Sequence, residues 1–136
     1  MTDLNLLLTQ IQARFSAGIE SAAIKLDELT LDVKAHALLE ISLALRDDAD
    51  FDFKCLVDVC GIDYLHYGLD DWQTTSTTET GFGRGVTTKL EKVGDSKPNR
   101  FAVVYHLLSL TKNHRIRLRV NLANEQALIV DSVIDI

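Results

Sequence analysis

The feature that most constrains this chain is a pair of long strand-forming runs, residues 100–110 and 115–122, joined by Thr111-Lys112-Asn113-His114. Apolar runs of that length with a short polar link fold back on each other as an antiparallel hairpin. With a two-residue turn at Lys112-Asn113, Ser109 stands opposite Ile116, Leu107 opposite Leu118, Tyr105 opposite Val120 and Val103 opposite Leu122. That face is the expected domain core. The other face pairs Leu110 with Arg115, Leu108 with Arg117, His106 with Arg119 and Val104 with Asn121. Large apolar groups beside a row of arginines point to a face that something covers. Arginine meets carboxylates bidentately and stacks on rings, so a partner protein is one occupant, and His106, Leu108, Arg115, Arg117 and Arg119 are the candidate interface residues. The domain's own second helix, with the arginines at its edge, is the other.

The remaining elements follow from periodicity. Leu4, Leu7, Leu8, Ile11 and Phe15 fall at helical spacing, with Thr2 or Asp3 to cap the start and Gly18 to end the segment. Short runs at 23–26 and 29–33 predict a small hairpin turning at Asp27-Glu28. Residues 34–46 lack Gly and Pro and repeat Leu38, Ile41 and Leu45, which predicts a second helix ended by Asp47-Asp48. Phe53, Cys55, Val57 and Val59 alternate with Lys54, Leu56, Asp58 and Cys60 as a core strand before Gly61. Between 68 and 99 the composition turns to Gly, Thr, Ser, Asp and Lys, the expectation for a long flexible insertion. The prediction is one α+β domain over 1–136, with amino-terminal helices packed on a mixed, largely antiparallel sheet that ends in the long hairpin.

Charge and length exclude several functions. At 136 residues the chain can bury one core without staples. Twenty acidic against fourteen basic residues give a net charge of -6, which repels a phosphate backbone, so no nucleic-acid partner is expected. The start, MTDLNLLLTQIQ, has no basic region and no cleavage signal, and no apolar run approaches the roughly 20 residues that cross hydrocarbon. The expected location is therefore cytoplasmic, with the membrane reached only through partners. Cys55 and Cys60, five apart in one strand, are expected on opposite faces and unable to pair, as packed free thiols.

No constellation announces a catalytic or metal centre. Gly81-Phe82-Gly83-Arg84-Gly85 departs from G-x-G-x-x-G at Val86 and follows no apolar strand, so it reads as a mobile loop. His36, His66, His106 and His114 are scattered, with no H-x-x-x-H or C-x-x-C spacing for a metal. Spacing neither places Cys60 beside His106 nor separates them, so a small thiol enzyme using Cys60 stands as the reading from a different class. Asp58 and Asp63 flank Gly61, and are expected to accept backbone N–H groups or to meet arginines across the sheet.

Two strings carry a family resemblance. Residues 56–64, Leu-Val-Asp-Val-Cys-Gly-Ile-Asp-Tyr, resemble the L-V-D-[LV]-C-G-[VI]-D-Y segment of the thirty-kilodalton subunit of NADH:quinone oxidoreductase, respiratory complex I. Residues 100–110, with Asn113, Arg115, Arg117 and Val120, resemble its R-F-x-V-V-Y-H-L-L-S-L…N-x-R-x-R-x-x-V signature, in the same order. The amino-terminal helix and the insertion match weakly. The family continues past a segment like 132–136 into W-x-E-R-E-x-x-D-x-x-G-I and an H-P-containing tail, both absent from this sequence, and Ser132-x-x-Asp135 resembles a capping box with almost no helix after it. A longer parent polypeptide is therefore expected. The resemblance implies a non-catalytic structural subunit of the peripheral arm, on the cytoplasmic side of the bacterial inner membrane. It implies no flavin, iron–sulfur cluster or other cofactor in this subunit, and docking beside the quinone-site subunit. The same scaffold role in a membrane-bound hydrogenase or another quinone-linked dehydrogenase is the near alternative, and an uncovered docking face could also let the chain self-associate.

Overall fold

A computed structural model describes residues 4–64, 77–78, 81–82, 100–122 and 129–134. Helix α1 (Leu4–Phe15) is followed by strands β1 (Ile19–Lys25) and β2 (Glu28–Val33), a 3-10 turn at Ala35–Ala37 and helix α2 (Leu38–Asp47). Then come β3 (Cys55–Asp63), the two-residue strands β4 (Thr77–Thr78) and β5 (Gly81–Phe82), and the long hairpin β6 (Phe101–Ser109) and β7 (His114–Leu122). The fold is α+β, and its main sheet runs β1-β2-β7-β6-β3. Every neighbouring pair in that sheet is antiparallel except β2 and β7, which run parallel at its centre.

Alternation builds one apolar face. Leu29, Leu31 and Val33 of β2, Tyr105 and Leu107 of β6, and Ile116, Leu118 and Val120 of β7 are buried in a single cluster. Leu7 and Ile11 of α1 and Leu38, Ile41 and Leu45 of α2, at the spacings that line one helix face, close over it. Val133, from residues 129–134, joins the same cluster. The hairpin's core face is thus the one that alternation predicts, and both helices lie on it. The second helix does not cover the arginine face.

Two turns sit two positions away in pairing from expectation. The long hairpin pairs Ser109 with His114, Leu107 with Ile116, Tyr105 with Leu118 and Val103 with Val120, through a four-residue loop in which Asn113 has φ 52°. Asparagine tolerates that left-handed conformation, and Ser109 Oγ accepts a hydrogen bond from the Lys112 amide across the loop. The first hairpin turns at Leu26-Asp27, not Asp27-Glu28, with φ of 52° and 59°. Two consecutive positive φ values are the mark of a type I′ turn, whose twist matches that of the strands it joins. In both hairpins the shift is an even number, so every side chain keeps its face.

β3 departs more seriously. Its register slips between Leu56 and Asp58, leaving Val57 as an extra residue. Leu56 pairs with Leu107 on the core side, while Asp58 and Cys60 pair with His106 and Val104 on the other. Cys55, opposite Leu108, shares that second face, so the two cysteines are not on opposite faces as the uninterrupted alternation predicts. They remain unpaired, four residues apart along β6, roughly 13 Å at 3.3 Å per residue. Val57 and Val59 are 52% and 41% exposed, so this edge strand does not carry the strongly apolar face expected of it.

Gly18 serves a close approach. A Cβ there would lie 2.9 Å from both Ala37 Cβ and Ile41 Cδ1, where the chain passes under the start of α2. The segment 68–99, expected from its composition to be a flexible insertion, lies outside the described residues apart from β4 and β5, and with it Gly83, Arg84 and Gly85 of the glycine-rich run.

Candidate functional site

The face of the sheet that neither described helix covers, the helix-free face among the described residues, is where the candidate residues gather. Its register sets two rows across the strands. One runs Ala23, Thr30, Arg117, His106, Asp58 and the next runs Ser21, Asp32, Arg119, Val104, Cys60. Most of these line a broad groove of about 790 Å³.

The arginines in these rows are already paired. Arg119 grips Asp32 bidentately, Nε to Oδ1 at 2.6 Å and Nη2 to Oδ2 at 2.9 Å, and Ser21 Oγ donates to the same carboxylate. Arg117 donates through Nη2 to Glu28 Oε2, through Nε to His106 Nε2 at 3.1 Å, and through Nη1 to Thr30 Oγ1 at 3.4 Å. Burial works to raise the Asp32 carboxyl, but the hydrogen bonds from Arg119 and Ser21, with the Arg119 charge, outweigh it and hold the group below the usual carboxylate range. The Asp32 hydrogen bond in turn raises Arg119 further above its ordinary value. Such charge-assisted, forked pairs are among the stronger surface contacts.

Glu28, Thr30 and Asp32 are the functional residues that sequence reasoning missed. They alternate with Leu29, Leu31 and Val33, which marks them as the outward side of β2, but nothing local shows that β2 lies parallel to β7. Of the candidate interface residues, Arg117 and Arg119 sit at the centre of the face in ion pairs. His106 and Leu108 are half-buried beside them, and Arg115 is exposed near the hairpin end without an ion pair to any described residue.

Toward the β3 edge, Asp58, Cys60 and His106 converge. Cys60 Sγ lies 2.9 Å from Asp58 Oδ2 and donates to it, while Asp58 Oδ1 accepts the Val59 amide at 2.9 Å. The hydrogen bond to Asp58 pushes the Cys60 thiol up and, reciprocally, holds the Asp58 carboxyl down. A thiol held protonated is a poor nucleophile, the reverse of what a thiol enzyme needs. His106 Nε2 accepts from Arg117 Nε, and the thiol's hydrogen bond goes to Asp58. Asp63 meets an arginine, as expected, but it is Arg100, through two bonds of 2.9 and 2.8 Å.

Comparison with known proteins places these observations in a family. Residues 31–136 match the family model described as "Respiratory-chain NADH dehydrogenase, 30 Kd subunit". The chain is 44% identical over 133 residues to the NADH-quinone oxidoreductase C subunit of Legionella pneumophila (strain Paris), covering 98% of this chain and 58% of that protein. It is 45% identical over 138 residues to the protein of the same name from Coxiella burnetii (strain RSA 493 / Nine Mile phase I), covering 100% and 60%. The Halorhodospira halophila protein of that name is 37% identical over 139 residues. This chain spans about three fifths of the length of these curated relatives. The match covers the second half of β2, α2 and every strand from β3 onward, and so includes Asp32, Asp58, Cys60, Val104, His106, Arg117 and Arg119 of the two rows. The chain belongs to the family of the 30 Kd subunit of respiratory-chain NADH dehydrogenase.

Proposed function

We propose that this chain is a non-catalytic, positioning part of the peripheral arm of a proton-translocating NADH:quinone oxidoreductase, docked beside the quinone-site subunit on the cytoplasmic side of the inner membrane. The observation that carries the reading is the division of the sheet into two unlike faces. Both described helices cover one, and the other presents an ordered surface whose central arginines are neutralised by Glu28 and Asp32. Covering a bare charge costs several kcal/mol, whereas a charge already gripped in the same chain can be desolvated at far lower cost. Leu108, half-buried among these pairs, supplies apolar contact, and exposed Arg115 is left to take a carboxylate from the partner. Membrane attachment then comes through the assembly, in keeping with the absence of any described helix long and apolar enough to cross a bilayer.

The test is affinity purification of the tagged, full-length protein from its own cells, followed by identification of every stoichiometric partner. Recovery of NADH dehydrogenase subunits is expected, and recovery of none overturns the function. The Arg115→Glu variant is expected to lose the neighbouring subunit while unfolding at the parent temperature. An unchanged partner set in that variant overturns the choice of face and leaves the family role standing.

A further inference from the structure

We propose that Asp58, Cys60 and His106 form a binding site for one divalent cation of the zinc class, with its fourth position open to water. Asp58 and Cys60, two residues apart, share one face of β3, and beyond the slip at Val57 the ladder sets His106 directly opposite Asp58 and diagonal to Cys60. One ligand atom from each of the three lies within 4.8 Å of the other two. Around a tetrahedral ion with bonds of 2.0–2.3 Å, oxygen, nitrogen and sulfur donors stand about 3.3–3.6 Å apart. Closing on an ion therefore asks for shifts on the order of an ångström, within reach of χ rotations on an edge strand.

The donor chemistry selects the ion. A thiolate, an imidazole and one carboxylate suit zinc and its analogues, whereas magnesium and calcium demand oxygen. One carboxylate and one thiolate cancel a dication, so the occupied site is itself neutral beside the Arg117–Glu28 pair. Binding replaces the S–H bond of Cys60 by a sulfur–metal bond and releases that proton to solvent.

His106 gives the proposal a distinctive cost. Its Nδ1 is buried with no hydrogen-bond partner among the described residues, while its Nε2 accepts from Arg117 Nε. Coordination through Nδ1 moves the ring proton to Nε2, which then repels the Arg117 N–H. Coordination through Nε2 displaces Arg117 outright. On either route the ion competes with one Arg117 hydrogen bond, and Arg117 keeps Glu28 and Thr30. Removing that donor must therefore tighten binding, by about two- to tenfold for one net hydrogen bond.

The experiment is titration of the reduced, chelator-stripped protein with cobalt(II), following the sulfur-to-cobalt charge-transfer absorption and proton release in weak buffer. One equivalent of cobalt is expected to saturate the band and release one proton. Cys60→Ser abolishes the band. Asp58→Asn and His106→Gln each weaken binding at least about tenfold, as loss of a ligand must if outer contacts alone are worth that much. Cys55→Ser leaves binding unchanged, and Arg117→Met tightens it, a gain that misfolding cannot imitate. Absence of the band at stoichiometric cobalt overturns the site. So does a band indifferent to Asp58→Asn and His106→Gln, which marks adventitious metal on a lone thiol, or one lost only with Cys55.

Discussion

Replacing Gly18 and Gly61 each by alanine tests how the helices sit on the sheet, because the same added methyl meets opposite surroundings. At Gly18 the new Cβ lies 2.9 Å from Ala37 Cβ and from Ile41 Cδ1, while at Gly61 no described atom lies within 4 Å. Neither glycine has the left-handed φ that would forbid a side chain. Loss of unfolded-state freedom alone favours alanine at either position by about 0.4–1 kcal/mol. At Gly61 that gain stands, since a strand interior also prefers alanine to glycine. At Gly18 overpacking costs about 1–3 kcal/mol, because Ala37 is fixed by its backbone and only Ile41 can turn aside. Gly18→Ala is therefore expected to lose about 1–2 kcal/mol and Gly61→Ala to gain roughly 0.5. Urea denaturation of both variants at neutral pH measures this directly, provided the slope with denaturant is unchanged. Adding Ile41→Val to Gly18→Ala removes one of the two clashing atoms. The double variant should be more stable than the sum of the single changes by about 0.5 kcal/mol or more. A Gly18→Ala protein as stable as the parent, or strict additivity with Ile41→Val, would show that α2 does not pass this close to Gly18.

Three further outcomes are expected. Leu26 is 98% exposed at φ 52°, so Leu26→Gly loses no burial and relieves a left-handed leucine, raising stability by about 0.5–1 kcal/mol in thermal unfolding. Asp32 is ionised more readily in the folded state than in the unfolded chain, so its contribution is full above the ordinary carboxylate pKa, about 3.9, and is lost as the pH falls through the lower folded value. Asp32→Asn should cost about 1–3 kcal/mol at neutral pH, where a hydrogen-bonded charge pair is lost, and progressively less as the solution is acidified. Equal losses at pH 7 and pH 3 would contradict that. Cys60 should be alkylated slowly by iodoacetamide near neutral pH, and Asp58→Asn should speed the reaction by removing the group that holds the thiol protonated. An unchanged rate would dissociate the two side chains.

What the sequence discloses about this fold depends on parity. Period-two alternation in 101–109 and 114–122 assigns each side chain to the core or to the arginine face, and burial of Tyr105, Leu107, Ile116, Leu118 and Val120 agrees. It cannot count along the strand, so both hairpins turn elsewhere than expected while keeping their faces. The parallel pairing of β2 with β7 brings Asp32 to Arg119 and Glu28 to Arg117 across nearly 90 residues. No local pattern encodes such a pairing, so an arginine row that looks unpaired in the sequence is already paired in the sheet. The single residue slipped in at Val57 changes parity itself. It sends Leu56 to the core side and Cys55 outward, while Asp58 and Cys60 keep the face that alternation with Val59 gives them, Asp58 now directly opposite His106. Three residue types that the spacing scatters are thereby gathered at one edge, by a bulge that leaves the amino-acid alternation almost undisturbed.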